Sequence, residues 1–226
     1  MADRVNSARR VRIYIVRHGE SEANRAEVMA GHSDFPLTDK GREQARLTAE
    51  ALRDVEFDGI YSSDLIRAVE TAVAHAELRG LTVNSVRRDK GLRELYVGEW
   101  EGMSFTDLEA KYGEFYTVTW KRGFGSFTAP GGESVHGLAQ RVASTIARIA
   151  TETGGENILV ASHGGAIRAF WGKISGMTAD EVSLNLPFPS NASYSIADFD
   201  TESGIFTPVE FSVDDHLADL KTFFTG

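Results

Sequence analysis

A chain of 226 residues with 42% hydrophobic content can bury roughly 70% of the surface its unfolded form exposes, enough for one compact domain. Acidic residues number 33 against 24 Lys and Arg, and the net charge of −9 repels nucleic acid and anionic lipid at long range; neither is an expected partner, and any anionic ligand must be gripped by a local cluster of cations. The lack of cysteine removes disulfides, thiolate metal ligands and cysteine nucleophiles together, and is compatible with the reducing cytoplasm, where the chain is expected to reside.

Arg9, Arg10 and Arg12 precede an apolar run of only Ile13 to Val16, too short for a signal peptide or a membrane span, and residues 1–9 are expected to form a flexible tail. Alternation then predicts a first strand over Val11 to Val16. Thr38 offers an N-cap and Asp39 a first-turn acid to a helix whose apolar face is Ala45, Ala49 and Leu52. Gly59 to Ser62 reads as a second strand. Leu65, Ala68, Val69, Ala72, Val73 and Ala76 follow at helical spacing before Gly80, and Leu81 to Val86 is the expected third strand. Leu138, Val142, Ile146 and Ile149 mark one face of a long helix stopped at Gly154-Gly155. Asn157 to Ala161 is apolar from Ile158 on, as suits a strand covered on both faces, and Ala166, Ile167, Phe170, Trp171 and Ile174 form the helix behind it. Ser193 to Phe199 and Ile205 to Ser212 flank Asp200-Thr-Glu-Ser-Gly204 as a hairpin at a sheet edge. No repeat, linker or low-complexity tract interrupts the order, so residues 1–226 are read as one domain, with an α/β fold: a three-layer α/β/α sandwich whose central sheet is mainly parallel, with an antiparallel edge strand.

In such sheets ligands gather at the carboxyl ends of the strands. Three strand ends here run into residues able to handle an anion: Arg17-His18-Gly19, then Ser62-Ser63-Asp64 with Arg67 in the next helix, and Ser162-His163-Gly164-Gly165. His32, His75, His136 and His216 lie in polar or loop contexts and are expected to be surface or capping groups. His18 and His163 each follow an apolar strand and precede glycine, a position that suits either function or structure. Two arginines beside two histidines fit a phosphoryl group, whose charge matches the forked donors of guanidinium. A neutral imidazole can attack phosphorus, and a cationic one can hold an oxygen. The competing arrangement is a two-histidine, one-carboxylate metal site; paired guanidiniums would repel a divalent cation, so no metal is expected.

An ordered set of motifs makes the chain resemble the histidine phosphatase superfamily, the phosphoglycerate mutase-like proteins, from about Val11 to Phe211. They are Arg17-His18-Gly19-Glu20-Ser21-Glu22-Ala23-Asn24, Pro36-Leu37-Thr38-Asp39-Lys40-Gly41, Tyr61-Ser62-Ser63-Asp64-Leu65-Ile66-Arg67-Ala68, Leu92 to Gly102, Pro130-Gly131-Gly132-Glu133-Ser134, and Val160-Ala161-Ser162-His163-Gly164-Gly165. The resemblance implies that His18 is the nucleophile and becomes a phosphohistidine. It implies a phosphate pocket of Arg17, Arg67 and His163, with Asn24 and the Gly164 backbone as further donors. Glu94 is implied as the general acid and base, with Glu99 and Glu101 as nearby alternatives on sequence alone. No cofactor or metal is implied, and the expected partner is a small-molecule phosphomonoester; the oligomeric state stays open between monomer and homodimer.

Family members include phosphatases and cofactor-dependent phosphoglycerate mutases. The mutase pattern has tryptophan in the loop after Arg-His-Gly and a longer basic, proline-rich insertion. Here the loop reads Met29-Ala30-Gly31-His32-Ser33-Asp34-Phe35, and Phe105 to Phe127 is short and aromatic. Those departures favour a phosphatase over a mutase, and the presence of both His18 and Glu94 favours an enzyme over a catalytically silent phosphoester-binding module. Residues 95–130 are expected to cap the site. Most aromatics there are expected to be packing residues, and those facing inward to favour an apolar or ring-bearing leaving group. Lys121 and Arg122 are expected either to meet a second anionic group or to be solvated surface charges.

Overall fold

The computed structural model describes residues 10–222. In chain order it contains β1 (Arg10–Arg17), α1 (Glu22–Arg25), α2 (Asp39–Ala51), β2 (Gly59–Ser62), α3 (Ile66–Leu78), β3 (Val86–Arg88), α4 (Phe105–Tyr112), α5 (Glu114–Tyr116), α6 (Val135–Thr153), β4 (Asn157–Ser162), α7 (Gly164–Ile174), α8 (Ala179–Asn185), β5 (Tyr194–Asp200) and β6 (Phe206–Val213), with short helical turns between several of them. The strands form one six-stranded sheet in the order β3-β2-β4-β1-β5-β6. The first four of that order are parallel, and β5 and β6 close one edge as an antiparallel pair.

Three layers follow from the period of two along the central strands. Val11, Ile13 and Ile15 of β1, with Ile158 and Val160 of β4, pack on one face with the apolar stripes of α6 and α7. The intervening Tyr14, Val16, Leu159 and Ala161 face the opposite way, against Leu52 after α2 and Ala72 and Ala76 of α3. A strand buried on both faces has no room for a polar side chain until it ends, so the polar groups collect where β1 and β4 leave the sheet.

The third strand departs from expectation. Only Val86 of the predicted Leu81 to Val86 run enters β3, which is Val86–Arg88, while Val83–Ser85 form a 3-10 turn. β2 is itself only four residues long and offers three partners, Ile60 to Val86, Tyr61 to Arg87 and Ser62 to Arg88. Leu81 and Val83 remain exposed, so their apolarity belongs to the surface beside the edge strand. His75 is likewise no surface group: it is 0% exposed, because Arg67, Thr71 and His75 recur every fourth residue of α3 and share its buried face. Residues 1–9, the expected tail, lie outside the described residues.

Between β3 and α6 the chain makes α4, α5, a π-helical turn over Thr117–Arg122 and a 3-10 turn over Phe124–Ser126. Trp100, Tyr116, Trp120, Phe124 and Phe127 are buried and pack into the same core as α6 and α7. Ring pairs at 4.9 to 5.5 Å, such as Trp120 on Phe127 and Trp100 on Tyr116, fix this segment. The side chains of Lys121 and Arg122 lie outside the described residues.

Candidate active site

β1 and β4 run in parallel register to Arg17 opposite Ser162, so the next residue of each strand, His18 and His163, arrives at the same point of the sheet edge. His18 N–H donates to Ser162 O (3.0 Å), and the two imidazole rings meet edge to face with centroids 5.2 Å apart. The loop after β1 is pressed onto the start of α2. A Cβ on Gly19 would stand 2.2 Å from Gly41 O, and one on Gly41 would stand 2.0 Å from Glu20 O, so both glycines are required by backbone contact. That explains why two separate motifs each carry one. Thr38 seats the same helix by accepting Gly41 N–H (3.0 Å).

His18 Nδ1–H donates to Gly19 O (2.7 Å), which leaves the Nε2 lone pair free. Burial lowers its pKa well below the usual histidine value, and the charges of Arg67 and Arg17 lower it further, so the ring is neutral at neutral pH. His163 is lowered in the same way, by burial first and then by Arg67 and His18. A neutral ring can still give or accept a hydrogen bond. Among the described residues neither ring nitrogen of His163 has a partner, nor does the buried Nε of Arg17. Buried donors without partners are costly, and their convergence marks a place built to meet acceptors.

Both arginines are anchored by backbone carbonyls. Arg17 Nη1 donates to Pro189 O, and Arg67 donates from Nη2 to Gly31 O (2.7 Å) and from Nη1 to Ser33 O (2.9 Å). Burial lowers each pKa to about 10, with Glu94 opposing the shift, so both remain cations at neutral pH. Glu94 sits on the N-terminus of α7: Oε1 accepts Leu95 N–H (2.8 Å) and Ala166 N–H (2.9 Å), and Oε2 accepts Gly165 N–H (3.0 Å). A Cβ at residue 165 would stand 2.6 Å from Glu94 Oε1, so the second glycine of the His163-Gly-Gly motif makes room for the carboxylate. Arg141 donates to the carbonyls of Gly91, Arg93 and Glu94 and pairs with Glu133, holding the Glu94 segment from behind.

The other two acids of that segment do different work. Glu101 accepts His32 N–H, Ser33 N–H and Ser33 O–H, at 2.8 to 2.9 Å, and so shapes the loop whose carbonyls hold Arg67. Glu99 accepts the Tyr112 hydroxyl (3.3 Å) and bonds no part of that loop among the described residues. His32 is half-buried with Nε2–H on Glu94 O (2.8 Å), closer to the site than a surface group, whereas His136 is exposed. Ser62, Ser63 and Asp64, expected to face an anion, do not: Ser62 Oγ–H turns to Ser63 O, Ser63 Oγ accepts Leu65 N–H, and Asp64 pairs with Arg93. β2 ends in a tight turn into α3 that uses these groups as its own partners, and only Arg67 reaches across.

A cleft enclosing about 560 Å³, part of it open to solvent, is lined by Arg17, His18, Asn24, Arg67, Glu94 and Gly164 among others, with His163 packed on His18. Asn24 Oδ1 accepts from Ser21 N–H, Ser21 O–H and Asn191 Nδ2–H, which leaves its Nδ2 as the donor it can offer to the cleft. The same cleft is also lined by the apolar side chains of Val28, Met29, Val97, Phe105, Trp120 and Phe188. Among the described residues no group of three or more His, Cys, Asp or Glu is placed to hold a metal ion. Sequence reasoning missed Phe188, Asn191 and Gln44. Each reaches the site through the antiparallel β1–β5 pairing or through side-chain packing behind it, and none of the three has a local signature.

The model of the histidine phosphatase superfamily (branch 1) matches residues 13–210. The chain is 34% identical over 170 residues to the adenosylcobalamin/alpha-ribazole phosphatase of Escherichia coli (strain K12), spanning 75% of this chain and 82% of that protein. It is 32% identical over 177 residues to a 2,3-bisphosphoglycerate-dependent phosphoglycerate mutase of Methylobacterium radiotolerans, again spanning 75% and 82%. Among solved structures, the mycobacterial glucosyl-3-phosphoglycerate phosphatase superposes with a TM-score of 0.78 at 28% identity, covering 91% of this chain and 100% of that one.

Proposed function

The chain belongs to the histidine phosphatase superfamily (branch 1), and we propose that it is a phosphatase hydrolysing small phosphomonoesters through a phosphohistidine on His18. The observation that carries this reading is the free Nε2 of a neutral His18 beside the unpartnered buried donors of Arg17 and His163. In the first step Nε2 attacks phosphorus in line; the N–P bond forms, the P–O bond to the leaving group breaks, and Glu94 gives that oxygen its proton. In the second, Glu94 takes a proton from water, the water oxygen attacks phosphorus, and the N–P bond breaks to release phosphate. The equatorial oxygens meet the same fixed guanidiniums in both steps, so their charge is stabilised without reorganisation.

The wall of Val28, Met29, Val97, Phe105, Trp120 and Phe188 supports a leaving group that is apolar or ring-bearing. Arg168, the buried cation behind that wall, donates to the carbonyls of Val182, Ser183 and Leu186 and lies over the rings of Phe124 and Phe188, so it is committed elsewhere and does not suit a second anionic group. The loop Met29 to Phe35, which lacks tryptophan, and the short aromatic segment Phe105 to Phe127 weigh against a bisphosphate-dependent mutase. No helix among the described residues is long and apolar enough to cross a membrane, and a cytoplasmic site of action is part of the proposal.

The test incubates wild type and His18→Ala with 4-nitrophenyl phosphate, sugar phosphates, and 3-phosphoglycerate with and without bisphosphoglycerate. Wild type is expected to hydrolyse the aryl ester in preference to the sugar phosphates, and His18→Ala to lose activity by about three orders of magnitude. Hydrolysis surviving in the variant overturns the mechanism, and rapid bisphosphate-dependent isomerisation establishes the mutase instead.

A further inference from the structure

Two buried amides hold the loop that carries His18, and both are tied to one short segment near the C-terminal end of the described chain. Gln44 on α2, 0% exposed, accepts Glu20 N–H on Oε1 (2.8 Å), while its Nε2 donates to Leu220 O (2.7 Å) and to Thr222 Oγ1 (2.9 Å). Asn191, in the loop before β5 and 2% exposed, is engaged on the other side. Its Nδ2 donates to His18 O (3.1 Å) and to Asn24 Oδ1 (3.2 Å), its backbone N–H to Thr222 O (3.2 Å), and its Oδ1 accepts the Thr222 hydroxyl (3.2 Å). The Thr222 hydroxyl thus joins the two amides, accepting from one and donating to the other.

A buried amide whose oxygen and nitrogen are all engaged cannot turn without leaving a polar atom unpaired, so each amide transmits the position of one partner to the others. The atoms they hold are the carbonyl of His18, the amide of Glu20 and the orienting oxygen of Asn24. We propose that Leu220 to Thr222 is a positioning strap: through Gln44 and Asn191 it sets the backbone of His18 to Glu20, and with it the line along which His18 Nε2 approaches phosphorus. The inference rests on the phosphatase reading of the cleft.

The two guanidiniums that grip phosphate are anchored without the Thr222 hydroxyl. Arg67 is held by Gly31 O and Ser33 O, and the Pro189 carbonyl that holds Arg17 is steadied by its neighbour Ser190, whose hydroxyl donates to Asp214 (2.7 Å), itself paired with Lys221 of the strap (2.7 Å). Removing the Thr222 hydroxyl while leaving Lys221 in place therefore costs rate rather than binding, because in-line geometry at the nucleophile is more demanding than attraction to a fixed pair of cations.

Thr222→Val keeps the shape of the side chain and deletes the shared hydroxyl, and Thr222→Ser retains the hydroxyl. With an aryl phosphate, Thr222→Val is expected to lower kcat about three- to tenfold, the range one hydrogen bond supplies. KM and the inhibition constant for inorganic phosphate stay within about twofold, the melting temperature moves little, and Thr222→Ser restores wild-type kcat. Asn191→Ala produces a larger fall, and combining it with Thr222→Val is less than additive. An unchanged kcat in Thr222→Val, or a fall shared equally with phosphate affinity, overturns the strap. Hydrogen exchange at the Glu20 amide reads the strap without turnover: exchange is expected to be at least about threefold faster in Thr222→Val, and equal rates overturn it. A wild type that exchanges as expected but hydrolyses nothing refutes the phosphatase reading and leaves the strap standing.

Discussion

The two sides of the cleft are built by different physics. On the phosphate side, the nucleophile, the arginines and the acid are fixed by backbone: His18 by Gly19 O, Arg17 by Pro189 O, Arg67 by Gly31 O and Ser33 O, Glu94 by three amides at the start of α7 and just after itself. The apolar lining of the cleft is held differently: Trp120 and Phe188 are placed by ring packing from a helical turn and a loop. Directional bonds hold charges to tenths of an ångström, as phosphoryl transfer requires. Apolar packing tolerates exchange of volume, as selection among leaving groups requires. The first side should therefore respond to substitution steeply and for all substrates, the second mildly and selectively.

The steepest response is expected from Arg67→Lys. Two of the five guanidinium N–H groups go to the loop carbonyls, which leaves three for a ligand in the cleft that Arg67 lines. A lysine ammonium cannot hold that loop and a phosphate together, so kcat/KM should fall about 10²-fold for aryl and sugar phosphates alike. Steady-state kinetics on both substrate types checks this, and a loss confined to one type would break the contrast between the two sides.

Phe188→Ala should act on the other side alone. Removing part of an apolar wall costs on the order of 1 kcal/mol of binding for a group that uses it, so KM for aryl phosphates should rise about fivefold while sugar phosphates are unaffected. Equal effects on both would show that the ring supports Arg168 and α8 rather than the substrate.

The same contrast explains what could be read from the sequence. The phosphate side was legible because strand ends concentrate it: a strand apolar on both faces must end before a polar side chain is allowed, and Arg17, His18 and His163 follow that rule within one residue. Glu94 lay in no strand or helix and was reached by resemblance alone. Gln44, Asn191 and Thr222 were not legible, since their meeting depends on β5 lying antiparallel beside β1 and on a tail that docks far from its neighbours in sequence. The third strand failed for a related reason: apolar residues at a sheet edge pack on the surface or pair according to how long their neighbour is, which the residues themselves do not carry.

His75 gives the smallest effect and separates the buried stripe of α3 into its two uses. It shares that stripe with Arg67, yet it is fully buried with neither ring nitrogen partnered, and burial first, then the charges of Arg79 and His216, lower its pKa from 6.5 to about 3. The folded chain thus keeps His75 neutral, while the unfolded chain takes up a proton as pH falls through 6.5. Unfolding binds the proton, so this group leaves stability unchanged above that pH and lowers it progressively below, by about 1.4 kcal/mol one unit lower. His18 and His163 act in the same direction. His75→Leu should therefore reduce the acid sensitivity of the denaturant midpoint between pH 7.5 and 5.5 by about that amount without abolishing it, and should leave kcat unchanged at pH 7.5. A midpoint as acid-sensitive as wild type would mean that water reaches His75 and that the α3 stripe is dry only at its Arg67 end.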